Sequence, residues 1–317
     1  HRSPDLTIIK RDRQTGAALS GAMFTVEKLQ EPDKGFVSGS PFTTDTDGKI
    51  LLKGLTPGAY KICEVKAPNA YESGNEERVV NLVAGQDFTA VFENTKKATL
   101  TVHKIDSITK EPLKNARFEV LKAVNGSLSG EVVKVGEYIS DSNGQFQLQQ
   151  ADSGWYRIIE KQAPTGYERK TESMEVFLKA GEDKEITFEN SPQSAIIIKK
   201  IDAETGAALS GIRFEVRYLS GATGTEGTVI GTYTTSKNGT ITVAGLKPGV
   251  YSVAEVSTDS DHILDDTLTT VTLKDDNAVV TVEFTNAPLG GLLIKKMDAV
   301  TKEPLSDVIF QLTEIKG

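Results

Sequence analysis

The dipeptide-spaced pair Lys-x-Asp recurs at Lys10, Lys104, Lys200 and Lys296, at intervals of 94, 96 and 96 residues. A period of that size belongs to a small domain rather than to a short solenoid repeat, and it overrides the two-domain prior of a 317-residue chain. The blocks KRDRQTGAALSGAMF, KIDSITKEPLKNARF, KIDAETGAALSGIRF and KMDAVTKEPLSDVIF align with Leu19, Leu113, Leu209 and Leu305 in register. Phe24, Phe118, Phe214 and Phe310 follow in step. Short connectors at NTKKAT, NSPQSA and NAPLGG then divide the chain into units 6–97, 98–193 and 194–288, with 289–317 carrying the opening strands of a fourth, truncated one. Connectors this short suggest a semi-rigid, monomeric string of domains.

Within each complete unit, short alternating runs are separated by Gly, Asn, Asp and Pro clusters. TDTDGKI, SDSNGQF and SKNGTI read as hairpin turns, and LTPGAY and LKPGVY as turns feeding a strand. No helical period is sustained. The expected fold is all-β: tandem Greek-key, immunoglobulin-like sandwiches of about seven strands in two sheets. Asp45 and Asp47 have half the look of a calcium loop, but the further acids such a loop needs are missing, which favours a plain hairpin.

A formal charge of -8 argues against nucleic acid or an anionic membrane surface as partner. No apolar run approaches the roughly 18 residues of a membrane span. The opening HRSPD reads as a cloning remnant, so any export or anchoring signal is expected elsewhere. Cys63 is the single cysteine, falls out of phase with the buried face of its strand, and is expected to be inert. His1, His103 and His262 have no catalytic motif around them and are expected at the surface. Phosphate-binding glycine loops and clustered metal ligands are absent, so neither cofactor nor metal is expected.

Alternate residues of a strand share a face. On that rule the first strands present Leu6, Ile8, Lys10; Leu100, Val102, Lys104; Ile196, Ile198, Lys200; and Leu292, Ile294, Lys296. A middle strand presents Tyr60, Ile62, Glu64; Tyr156, Ile158, Glu160; and Tyr251, Val253, Glu255. The last strand ends its apolar face in Asn94, Asn190 or Asn286. Lys to Glu spans 54, 56 and 55 residues, and Glu to Asn 30, 30 and 31. An ion pair near a sheet end would explain one such trio. Three in matching phase need a further reason, because buried ion pairs stabilise weakly.

Desolvation lowers a lysine pKa and raises that of a glutamate, which leaves an amine nucleophile beside a carboxylic acid. Held against an asparagine carboxamide, the amine could displace ammonia while the glutamate moves the protons, leaving a Lys–Asn isopeptide bond. That is a single-turnover self-modification rather than an enzyme activity.

The Lys-x-Asp opening, the Y-x-x-x-E-x-x-A-P-x-x-Y stretch around Glu64 and Glu160, and the closing F-E-N or F-T-N together resemble CnaB-type (SpaA-like, prealbumin-like) domains of Gram-positive surface adhesins and pilins. The resemblance covers residues 6–288 as three domains and 292–317 as a partial fourth. It implies neighbouring first and last strands joined through Lys10–Asn94, Lys104–Asn190 and Lys200–Asn286, with Glu64, Glu160 and Glu255 catalytic. It also implies a cell-wall stalk outside the cell, projecting a binding head. A host matrix protein such as collagen or fibronectin would be gripped by another region, or by the variable loops 125–137 and 219–229. The third unit departs from the pattern, since YSVAEVSTDSDHI lacks the Ala-Pro and the closing Gly-Tyr. Lys296 has no Glu or Asn partner in this stretch and is expected to stay free.

Overall fold

The computed structural model describes residues 2–219, 227–313 and 315. Three sandwiches succeed one another. The first holds β1 (Leu6–Asp12), β2 (Met23–Lys28), β3 (Gly35–Phe36), β4 (Phe42–Thr43), β5 (Lys49–Leu52), β6 (Gly58–Lys66), β7 (Glu77–Leu82) and β8 (Phe88–Asn94). The second holds β9 (Ala98–Asp106), β10 (Arg117–Ala123), β11 (Val132–Ile139), β12 (Gln145–Ala151), β13 (Gly154–Gln162), β14 (Tyr167–Arg169), β15 (Ser173–Leu178) and β16 (Asp183–Pro192). The third holds β17 (Ala195–Asp202), β18 (Arg213–Tyr218), β19 (Thr228–Thr234), β20 (Thr240–Val243), β21 (Gly249–Ser257), β22 (Thr269–Leu273) and β23 (Val279–Asn286). The described residues fall into two compact bodies, one carrying the first two sandwiches and the other the third.

Each sandwich pairs a sheet built on its first and last strands with a sheet built on the strands between. In the first, β5–β1–β8 packs on β2, β6 and β7, with β3 and β4 both on the free edge of β2. The second repeats this as β12–β9–β16–β14 on β11–β10–β13–β15. The third forms β20–β17–β23 and β19–β18–β21–β22. The first two sandwiches exceed the expected seven strands for different reasons. Gly39 and Pro41 interrupt the edge that VVKVGEYI runs through unbroken in β11, and β14 adds a short strand to the second.

The alternation seen in the sequence is the alternation of burial. In β1, Leu6, Ile8, Lys10 and Asp12 point inward, and in β6 Tyr60, Ile62 and Glu64 do. Phe24 meets Phe92, Phe118 meets Phe188, and Phe214 meets Phe284, with ring centroids 4.9, 5.1 and 4.9 Å apart. The hydroxyls of Tyr60, Tyr156 and Tyr251 donate to the carbonyls of Thr56, Asp152 and Lys247 at 2.8, 2.7 and 2.8 Å, each tying a middle strand to the turn before it.

The first and last strands run parallel and adjacent. Lys10 sits opposite Phe92 and Asp12 opposite Asn94, and the register is the same for Lys104/Phe188 with Asp106/Asn190 and for Lys200/Phe284 with Asp202/Asn286. A parallel pair needs a long crossover, and here the rest of the sandwich serves as that crossover.

The hairpin glycines hold the lysine backbone in place. Gly48, Gly144 and Gly239 have φ of +69°, +67° and +69°, and a Cβ on them would come within 2.6, 2.5 and 2.5 Å of the carbonyls of Lys10, Lys104 and Lys200. The lysine N–H groups donate to the carbonyls of these same glycines at 2.8, 2.6 and 2.8 Å. Leu19, Leu113 and Leu209 in turn donate to the lysine carbonyls, which explains why those leucines stay in register. Asp45 accepts the N–H groups of Asp47 and Lys49 at 2.9 and 2.8 Å, so its carboxylate closes a hairpin turn.

The segment expected to open a fourth unit has no strand among its described residues. It has one bridge, Met297 to Pro304, and Leu292, Ile294, Lys296 and Phe310 are exposed. A strand pair with no second sheet to cover its apolar face is marginal in water.

Two glycines separate the two reasons for needing one. Gly16 also has positive φ (+72°), but a Cβ there would meet nothing within 4 Å. Gly16→Ala should therefore cost about 1 kcal/mol of backbone strain, and Gly48→Ala clearly more. Urea unfolding of the two variants checks the order.

Candidate functional site

The three lysines, three glutamates and three asparagines come together as three separate trios, each inside one sandwich. All nine side chains are at most 3% exposed. In the first, Lys10 Nζ donates to Asn94 Oδ1 at 2.5 Å and lies 3.1 Å from Glu64 Oε1, and Asn94 Nδ2 donates to the same Glu64 oxygen at 2.9 Å. In the third, Lys200 Nζ donates to Asn286 Oδ1 at 2.6 Å and is 2.7 Å from Glu255 Oε2, while Asn286 Nδ2 donates to Glu255 Oε1 at 2.7 Å. The second is looser at its amine. Asn190 Nδ2 donates to Glu160 Oε1 at 2.7 Å, but Lys104 Nζ is 3.7 Å from Glu160 Oε2. Lys104 Nζ, Glu160 Oε2 and Asn190 Oδ1 are buried without a hydrogen bond.

The amines of the first and third trios also face aromatic carbon. Lys10 Nζ lies 5.7 and 6.0 Å from the ring centres of Phe24 and Phe92, and Lys200 Nζ 5.9 Å from that of Phe214. Such walls exclude water, and desolvation holds Lys10 below the ordinary lysine value. The same cause brings Lys104 down to about 8, against the upward pull of Glu160, and raises the Glu160 carboxyl. Both shifts act in the direction that favours the neutral amine and the neutral acid in the second trio. In every trio the glutamate touches the amide nitrogen, while the amine in the first and third touches the amide oxygen. This is the relation an aminolysis needs: nucleophile at the carbonyl group, and proton carrier at the leaving nitrogen.

The family described as SpaA, prealbumin-like fold domain, matches residues 4–96, 98–192 and 194–288. The chain belongs to the SpaA prealbumin-like domain family. No curated protein matches it. Among solved structures it is similar to the Bacillus anthracis TIE protein, at 20% identity and TM-score 0.35, over 90% of this chain and 51% of that one. It is also similar to BcpA, the major pilin subunit of Bacillus cereus, at 16% identity and TM-score 0.33, over 90% and 99% of the two chains. The full-length major pilin SpaD from Corynebacterium diphtheriae follows at 17% identity and TM-score 0.29, over 91% and 98%. The chain spans about half the length of the TIE protein.

Several residues of these SpaA-type domains escaped the sequence reading. Asp12, Asp106 and Asp202 lie two positions beyond the lysines, on the same face, and are buried too. The period-2 rule that placed the lysines would have placed these aspartates inside as well. Thr258 was also missed. It stands three residues after Glu255, where the other units have Ala67 and Ala163, and its Oγ1 accepts from Asn286 Nδ2 at 2.8 Å.

His262, expected at the surface, has a side chain only 10% exposed and sits between Asp202 and Asp259. Seven residues after its glutamate, it takes the place of Tyr71 and Tyr167. His103 is partly exposed and pairs with Glu185, and His1 lies outside the described residues. Burial raises the pKa of the Cys63 thiol, which donates to Glu77 at 3.4 Å, as suits an unreactive thiol. Of the variable loops, 125–131 tucks Leu128 inward with its carbonyl bound by Arg157, and 220–226 lie outside the described residues.

Removing the glutamate from a trio that cannot react should expose the cost of a buried charge. On an Asn94→Ala background, Glu64→Ala is expected to lose about 3–5 kcal/mol, and the pair Lys10→Met with Glu64→Leu close to nothing. Urea unfolding, with hydrogen exchange read on β1 and β8, would report both.

Proposed function

We propose that each trio closes a Lys–Asn isopeptide bond within its own domain, and that the three cross-linked domains form a stalk segment of a Gram-positive cell-surface adhesin or pilus-type shaft. The observation that supports the chemistry most is the shared glutamate oxygen of the first trio, set between an amine and the amide nitrogen it would replace. Lys10 Nζ attacks Asn94 Cγ. Glu64 takes a proton from the amine and delivers it to Nδ2, the Cγ–Nδ2 bond breaks, and ammonia leaves. One N–C bond forms and one breaks, with no oxidant or metal in the balance. Lys104 with Asn190 and Glu160, and Lys200 with Asn286 and Glu255, would do the same. The domain has no separate substrate, so this is self-modification and not turnover.

The mechanical reading rests on where the bond would fall. β1 and β8 are parallel neighbours, and Lys10 and Asn94 lie toward the same end of both. Tension entering at Leu6 would run along β1 to Lys10, cross to Asn94, and leave the domain. The chain between them, a sequence separation of 84, would carry none of it. By analogy with a disulfide closing so long a loop, restriction of the unfolded chain would contribute on the order of 4 kcal/mol. An amide also resists reduction, which suits an exposed stalk outside the cell. A host matrix protein would be held by a different region of the full protein.

Intact mass of the denatured chain tests this directly. Each bond removes one ammonia, about 17 Da. The expected deficit is three ammonias, falling to two in Glu64→Ala; an unaltered mass would leave three sandwiches with buried polar trios and no cross-link.

A further inference from the structure

The buried aspartates are not accounted for by the cross-linking chemistry. In each domain one carboxylate oxygen closes the turn after the first strand, and the other reaches across to the segment that follows the glutamate strand, which is a loop in the first and third domains and includes β14 in the second. Asp12 Oδ1 accepts the N–H groups of Gln14 and Thr15 at 2.8 and 2.9 Å, while Oδ2 accepts the Tyr71 hydroxyl at 2.7 Å. Asp106 repeats this with Ile108, Thr109 and the Tyr167 hydroxyl at 3.0 Å. Asp202 repeats it with Glu204 and Thr205, but its second oxygen meets His262 Nε2 at 2.8 Å.

The loop so pinned roofs the trio. Three residues beyond Tyr71, a Cβ on Gly74 would stand 3.4 Å from both Asn94 Oδ1 and Glu64 Oε2. Two residues beyond Tyr167, Arg169 donates to the Glu160 carbonyl at 2.8 Å. In the third domain the corresponding loop supplies Thr258 to the Asn286 amide. The aspartate also sits opposite the asparagine in the parallel register, and the residue after it donates to the asparagine carbonyl at 2.9, 2.8 and 2.9 Å in the three domains. The carboxylate therefore ties the turn after the lysine strand to the roof, while the backbone N–H of the next residue ties that turn to the asparagine strand.

We propose that Asp12, Asp106 and Asp202 are positioning residues that latch the loop over each trio, and that His262 makes the third latch dependent on protonation. This rests on the cross-linking reading above.

The Tyr71 latch does not titrate in ordinary buffers: burial pushes its hydroxyl up to about 12, and it remains a donor throughout. The histidine latch does. Its ring nitrogens face two carboxylates, Asp202 on β17 and Asp259 in its own loop at 2.7 Å, with Asp261 preceding it in the chain and Pro288 beside its backbone. Only imidazolium can donate to both; neutral imidazole has one N–H. The hydrogen bonds to Asp202 and Asp259 raise His262 above the ordinary histidine value. The doubly bonded, charged latch is therefore fully held below that ordinary value and weakens to a single neutral hydrogen bond as pH rises through the raised one.

The full chain, recovered unfolded in urea with its ammonias intact by mass, is diluted into buffer, and each domain's cross-linked peptide is followed over time by mass. In wild type, loss of three ammonias establishes the chemistry; their retention removes the cross-linking reading itself, and this inference with it. Given those bonds, Tyr71→Phe should slow the first bond about tenfold or more, within the roughly 100-fold that a 1 Å misplacement can cost, and leave the other two unaltered. A first bond at wild-type rate overturns the latch. Should Tyr71→Phe fail to fold, His262→Tyr decides. The third-bond rate of wild type relative to His262→Tyr should fall several-fold between about pH 6 and about pH 9, whereas a ratio flat in pH overturns the role of His262.

Discussion

A lysine amine lodged in a dry core is the constraint around which each domain is arranged. An unpaired buried ammonium costs several kcal/mol, so its position must come with a carboxylate, or with neutralisation, or both. Glu64 and Glu255 approach their lysines to 3.1 and 2.7 Å, while Glu160 stands off at 3.7 Å and leaves Lys104 Nζ without a hydrogen bond. Phe24 and Phe92 wall in the first amine, and Phe214 covers the third. The backbone around it is held just as closely: a glycine turn packs on the lysine carbonyl, a leucine N–H donates to it, and an aspartate two residues on closes the next turn. Keeping the lysine's place across three copies therefore means keeping all of these, and that is the repeat seen in the sequence.

The same arrangement links chemistry to mechanics. Adjacent parallel strands put the beginning and the end of a domain side by side, so a single bond between them would take almost the whole sandwich out of a pulling path. A bond elsewhere in the sheet would protect only part of it. The proposed stalk role and the proposed bond thus depend on one topological fact, the pairing of β1 with β8 and its two counterparts.

The third domain keeps its trio while altering what surrounds it. Thr258 stands in for an alanine and His262 for a tyrosine, and both side chains join the hydrogen bonds at the asparagine end. Although the Ala-Pro is missing, Lys200, Glu255 and Asn286 approach one another as closely as the first trio does. Polar contacts supplied by the replacement residues hold the loop where the other domains use packing and a tyrosine hydroxyl.

Much of this was legible in the residues because strands report burial with a period of two. The repeat length, the all-β class, the inward lysines, glutamates and asparagines, and the turn glycines all follow from local spacing. Asp12 and its counterparts obey the same rule one step beyond the lysine and are legible in the same way. Other features were not local. That β1 and β8 are parallel neighbours in matched register, that Tyr71 reaches Asp12 across 59 residues, and that His262 is enclosed by two carboxylates depend on which strands pair and how loops fold over their ends. The sequence by itself determined which side chains face inward, because alternation is a property of one strand. Tertiary structure alone decided which of them meet, because distances between strands are set by the packing of the whole sandwich.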